Sequence, residues 1–343
     1  MPSNVWRQHF VAFVLPSIAI ALLLLLPLLF ATSLLDSKQT TISVAHIDKR
    51  ATAIEPKVNE PPIIPAIPPA YRKYALGFGS RPCVVQDPSS FSGSSQRIIV
   101  INATRFRTKN LYKRVELTIQ QQMSRITRRM IQEGYAFRFA RCGPRLKILR
   151  APYNGKLLSG SANDMNQALL HWLDAVLPPE LREENNFLVY TNSVDKKFYK
   201  RTGGFAQVAQ DNQKTTFGMV GAVFVSPKPR ELKGFRSLGF PVDAVTMHEL
   251  LHLLGAVDNR AKHTTGFNHC FDEKDIMCYR DGGPHWRPLT KCQGKFKNSL
   301  MAPIDCRRDD YFDPKHRLDR KGVWNIANSP LLMRLPDVRS RDP

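Results

Sequence analysis

Apolar positions alternate between strand and helix periods from about residue 96 to residue 254, and periodic order thins out after that. Arg97-Ile98-Ile99-Val100-Ile101 is a β-branched run of the kind that fills an interior strand. From Lys113 to Glu133, Val115, Ile119, Met123, Ile126 and Met130 recur at helical spacing and predict a helix with one face in a core. Arg125, Arg128 and Arg129 would then form a solvated basic patch on its other side. Tyr135 to Arg150 reads as two short strands around Gly143-Pro144. A second helix is expected over Ser161 to Leu177, opened by a Ser-Ala-Asn-Asp cap region and stopped before Pro178-Pro179. Asn186 to Thr191, Gly203 to Ala209 and Phe217 to Val225 read as further strands. Val245, Leu250, Leu251, Leu253 and Leu254 then surround a short helix that has no wholly polar face, as expected of a helix inside a core.

Two stretches before this domain have other patterns. Val11 to Ala31 is almost wholly apolar, and as a helix it would extend roughly 31 Å, enough to cross a bilayer. Its length favours an uncleaved anchor over a signal peptide, whose apolar core is shorter. Ala31-Thr32-Ser33 is nevertheless a small-residue run that could be cut, and both readings imply export. Residues 1–36 are therefore expected to be a transmembrane anchor or signal segment. Residues 37–75 carry Pro56, Pro61, Pro62, Pro65, Pro68 and Pro69 and are expected to be a semi-rigid extracytoplasmic spacer. A pro-peptide is the competing reading, with Cys83 as a metal-blocking thiol. Residues 76–343 remain as one domain.

Composition adds charge and sulfur. The net charge of +21 implies attraction to anionic surfaces such as lipid headgroups or wall polymers. No nucleic-acid-binding motif accompanies the basic residues, so specific nucleic-acid recognition has no support. Cys83, Cys142, Cys270, Cys278, Cys292 and Cys306 all follow the apolar segment, as an oxidising compartment would produce. Spacing pairs Cys270 with Cys278 and Cys292 with Cys306, which leaves Cys83 for Cys142. Such crosslinks would order the loop-rich half after residue 258. Asp305, Asp309, Asp310 and Asp313 could hold a structural Ca2+, although their spacing is not that of an EF-hand; otherwise they form an acidic loop paired with nearby arginines.

The chemistry gathers at Thr246-Met247-His248-Glu249-Leu250-Leu251-His252. Residues four apart on a helix share a face, so His248 and His252 can reach one ion, and Glu249 is placed to accept a proton from water activated there. This is the H-E-x-x-H pattern. Gly255 suits a helix end with positive φ, and a turn there would swing Asp258 back as a third ligand. His263 and His269 are alternative third ligands within loop reach, and Glu273 is a further alternative by spacing.

H-E-x-x-H-x-x-G-x-x-D, followed by Asp275-Ile276-Met277-Cys278-Tyr279, resembles the metzincin clan of zinc peptidases, and within it the small secreted snapalysin-like branch. Over roughly Pro241 to Ser329 the chain is also similar to uncharacterised secreted actinobacterial proteins. The resemblance implies one catalytic Zn2+ on His248, His252 and Asp258, a Met-turn at Met277, and Tyr279 near the oxyanion. It also implies an α+β fold with a mixed twisted sheet, two or three long helices, an edge strand for an extended peptide substrate, and a loop-rich, disulfide-linked second half. The expected activity is that of a monomeric zinc endopeptidase acting on proteins or peptides. The rival reading is a surface-tethered basic module whose zinc is structural and closed by four protein ligands. A third reading is an exported protein whose H-E-x-x-H match is accidental.

Overall fold

A mostly parallel β-sheet with helices on both faces organises the protein in a computed structural model. The structure describes residues 66–77, 80–195, 203–207, 217–226, 236–237, 240–272, 274–278, 281–287, 292 and 300–336. The expected anchor or signal segment, most of the proline-rich spacer, Glu273 and Tyr279 lie outside them. Among the described residues no helix is long and apolar enough to cross a membrane.

In chain order the elements are β1 (Cys83–Val85), β2 (Ile98–Asn102), α1 (Lys109–Gln132), β3 (Tyr135–Phe137), β4 (Arg141–Cys142), β5 (Arg145–Arg150), α2 (Ala162–Val176), α3 (Pro179–Glu184), β6 (Asn186–Thr191), β7 (Gly204–Ala206), β8 (Val220–Phe224), β9 (Arg236–Ser237), β10 (Phe240–Pro241), α4 (Val242–Leu253) and β11 (Leu332–Arg334). The main sheet runs β1-β5-β2-β6-β8-β7, with β4 folded back on β5 as a hairpin. Every step from β1 to β8 is parallel, and β7 pairs antiparallel with β8 at the edge. The mixed α+β character expected from the sequence is therefore present, in a sheet that is parallel from β1 to β8.

The β-branched runs are explained by burial on both sides. Along β2, Ile98 and Val100 face the core under α1 and α4, while Ile99 and Ile101 face the core under α2 and α3. β6 repeats the alternation, sending Leu188 and Tyr190 one way and Phe187 and Val189 the other. α1 lays Val115, Ile119, Met123, Ile126 and Met130 on the first face. α2 begins at a capping box in which Ser161 and Asp164 hydrogen-bond each other's backbone N–H.

The expected solvated patch on α1 is not found. Arg125 makes a two-pronged ion pair with Asp243 in the first turn of α4, where a carboxylate also suits the helix dipole. Arg129 is buried and binds Glu133, which Arg308 engages from the C-terminal half. These arginines fasten α1 to its neighbours because α1 is covered on more sides than its apolar stripe suggests.

The last residues of the expected spacer are not a free stalk either. Pro69–Tyr74 forms a short 3-10 helix with proline at its start, and Ile67, Tyr71 and Tyr74 pack against Ile131, Ala136 and Leu335. Beyond α4 the described residues are mostly loop, as expected, and β11 returns to pair with β3. The three disulfides are Cys83–Cys142, Cys270–Cys278 and Cys292–Cys306.

Candidate metal centre

α4 is buried on nearly every side, and the structure fastens both its ends. At the start is the Arg125–Asp243 pair. At the finish, Asn186 Nδ2 donates to the Leu253 carbonyl (3.2 Å) and Trp324 Nε1 to the Leu254 carbonyl (2.8 Å), so two carbonyls that helices leave without partners are used. In the middle, Tyr190 from β6 hydrogen-bonds Gln122 of α1 and Thr246 of α4. Gly255 has φ +85°, with Gly255 N bonded to the His252 carbonyl and Ala256 N to the Leu251 carbonyl. This is the Schellman closure expected at that glycine.

The turn does not deliver Asp258 to the histidines. Its carboxylate is buried and accepts from Arg260 N (2.8 Å), Arg260 Nε, Arg260 Nη2 and Trp324 N. Val257 has φ +61°, so the chain continues past the glycine in a tight left-handed turn that aims Asp258 at the 324 segment. Burial works against ionisation of Asp258, but these donors outweigh it and hold its pKa below the usual carboxylate range. Such a carboxylate contributes stability above the unfolded value near 3.9 and loses it as pH falls through the lower folded value. Asp258→Asn is therefore expected to destabilise the metal-free protein at pH 7 by about 1–3 kcal/mol, with the gap narrowing below about pH 4. Urea unfolding of both proteins at the two pH values checks it.

His269 stands where Asp258 was expected. The Nε2 atoms of His248, His252 and His269 form a near-equilateral triangle with sides of 3.1, 3.1 and 3.3 Å. The other expected alternative, His263, is turned away and pairs its Nδ1 with Asp310 (2.8 Å). The four aspartates considered for calcium also have separate partners. Asp305 accepts backbone N–H groups of residues 309–312, Asp310 holds His263, Asp309 meets Lys262, and Asp313 accepts from Arg317 and Lys315. Only Asp309 and Asp310 come together, and they do so around His263.

His269 is carried by a hairpin in which Thr264 bridges Cys270 and Thr265 N donates to the His269 carbonyl (2.7 Å). The left-handed residues Gly266 and Asn268 shape its tip. Cys270 is then joined to Cys278, beside Met277, which is fully buried. In the same turn the Ile276 carbonyl accepts from His248 Nδ1 (2.9 Å). Asp275 fixes this turn by accepting from Met277 N, Cys306 N and Tyr311 Oη, while burial pushes its pKa up to about 7.

The donors fit a zinc ion. A tetrahedral site with Zn–N bonds of about 2.0–2.1 Å puts its nitrogen atoms about 3.3 Å apart, close to the observed spacing. Nδ1–H of His248 is used by a carbonyl and Nδ1–H of His269 by Asp281, so in the neutral rings both Nε2 lone pairs face inward. Burial lowers the pKa of His248 to about 3 and that of His252 well below its ordinary value, which keeps the rings neutral. Lone pairs so close repel one another unless a cation sits among them.

Glu249 follows the first histidine and is 4 % exposed. Its Oε2 is buried without a hydrogen-bond partner among the described residues, and burial raises its pKa well above the usual value. Its Oε1 lies against β7, where a Cβ on Gly204 would approach it to 2.9 Å and the Ala222 carbonyl to 2.4 Å. Glycine at 204 is what lets the edge strand run this close. Sequence spacing put Asp258 first for the third position and His269 among its alternatives; the local cue for His269 was His269-Cys270 beside Met277-Cys278.

No family model matches the chain, and no curated protein matches it in sequence. Among solved structures, the crystal structure of metalloproteinase-II from Bacteroides fragilis is similar at 12 % identity and a TM-score of 0.31, over 75 % of this chain and 61 % of that one. A structure described as a chaperone-substrate complex is similar at 12 % identity and a TM-score of 0.28, over 48 % of this chain and 24 % of that one. This chain thus spans less than two thirds of either. At that level of likeness no family is assigned.

Proposed function

We propose that the protein is a zinc-dependent endopeptidase of metzincin type, with His248, His252 and His269 as the metal ligands. The carrying observation is the triangle of three inward-facing imidazole nitrogens with Glu249 next in sequence to the first. A zinc ion held there would polarise the scissile carbonyl and make a water acidic enough to attack near neutral pH.

The chain's own groups supply the rest. Glu249 has a buried oxygen without a hydrogen-bond partner among the described residues and a raised pKa, so it can accept a proton and return it to the leaving amine near neutrality. β7 at the sheet edge gives an extended substrate a strand to lie beside. The Ile276 carbonyl, in the turn that carries the buried Met277, holds His248 through Nδ1. The rival reading, a closed structural ion on a basic binding module, needs four protein ligands. It is disfavoured because three converge among the described residues while Asp258 and His263 are engaged elsewhere. Three disulfides suit an extracytoplasmic protein, and the charge of +21 suits residence near an anionic surface.

Purified protein is expected to contain one zinc per chain and to cleave members of a peptide library. A chelator should abolish cleavage and added zinc restore it. Cleavage that survives complete zinc removal, or stoichiometric zinc with no cleavage of any peptide, would overturn the peptidase reading.

A further inference from the structure

The three histidines differ in what their second ring nitrogen meets. His248 donates to a backbone carbonyl, and His252 Nδ1 is buried without a hydrogen-bond partner among the described residues. His269 faces a carboxylate: its Nδ1–H donates to Asp281 Oδ2 at 2.9 Å. Asp281 belongs to neither the helix nor the Met277 turn, and no spacing in the sequence marks it.

Asp281 is itself held from three directions. Oδ2 also accepts from Thr265 Oγ1 (2.6 Å), and Oδ1 accepts from Gly283 N (2.8 Å). The segment carrying it lies tight against the hairpin that bears His269, with His285 N donating to the Thr265 carbonyl (3.0 Å). A Cβ at residue 283 would stand 2.3 Å from that same carbonyl oxygen, so the approach needs glycine. The Asp281 side chain is 7 % exposed, which keeps water from competing for the contact.

We infer that Asp281 is the positioning residue of the metal centre, orienting the His269 ring and enriching its electron density so that this loop-borne histidine binds the ion as firmly as the helix-borne pair. This rests on the reading of His269 as a ligand. A carboxylate behind a ligating imidazole fixes its tautomer and raises its basicity, and losing such a partner typically costs 10- to 100-fold in metal affinity. His269 needs this more than His248 or His252, because no helix sets its direction.

The test is a double-mutant cycle on zinc affinity, read by competition with a chromogenic chelator on the full chain. Asp281→Asn, which keeps the shape and removes the charge, should weaken zinc about 10- to 100-fold in the parent. In a His269→Ala background the same change should have no further effect beyond about twofold. Metal-free Asp281→Asn should stay folded with only a modest drop in melting temperature, because the amide keeps an acceptor for Gly283 N, and the loss of zinc affinity should exceed that loss of stability. Unchanged affinity in Asp281→Asn, or an equal loss with His269 absent, would overturn the inference. A parent that binds no zinc at the histidines would instead sink the metal-site reading. Zinc binding without peptide cleavage would sink only the peptidase reading.

Discussion

Glu249→Gln is expected to leave zinc content unchanged and to lower peptide hydrolysis by about a thousandfold. General acid–base help from one positioned group is worth about 10²- to 10⁴-fold, and the amide keeps the shape of the side chain while losing the capacity to take a proton. The fold should not suffer. Glu249 makes no hydrogen bond through Oε2 among the described residues, and a neutral group in that buried place costs no more than a carboxyl with a raised pKa. The decisive measurement is kcat on one peptide from the library digest, beside elemental analysis of the same preparation. Hydrolysis at the parental rate with full zinc would take the proton-transfer role away from Glu249.

The second large effect separates two candidates for one role. His269→Ala should release zinc by far more than the 10- to 100-fold that an outer hydrogen-bond partner costs, because a direct donor is lost. Asp258→Ala should keep zinc within a few-fold and lose stability instead, since it strips partners from Arg260 and from Trp324 N. Zinc titration and thermal melting of both variants give opposite patterns. If Asp258→Ala loses the ion while His269→Ala retains it, the triangle of nitrogens is the wrong ligand set.

What the chain declared in advance, and what it withheld, follows from the range of the forces involved. β2, α2, β6 and α4 were legible because each has a local signature: a β-branched run, a capping box, a hydrophobic stretch or an i, i+4 histidine pair. The glycine closure at Gly255 was legible for the same reason. The destination of the chain after it was not. Whether Asp258 turns toward two histidines or toward Arg260 and Trp324 is set by Arg260, two residues on, together with residue 324, whose approach the local sequence does not announce. The arginines of α1 misled in a similar way. Arg125 and Arg129 resemble a solvated face until Asp243 and Glu133, with Arg308 behind it, are placed beside them. Asp281 was invisible because it acts only through another side chain.

The Cys270–Cys278 bridge joins the hairpin bearing the third histidine to the turn whose carbonyl holds the first. In small zinc modules without such a tie, binding and folding are one event, and chelation unravels the chain. Here covalent closure has already met much of the ordering entropy of that arm, so an ion bound there would dock into a prepared cradle. Stripping the metal should therefore leave a vacant but shaped receptacle, able to refill at a rate set by diffusion and dehydration of the ion.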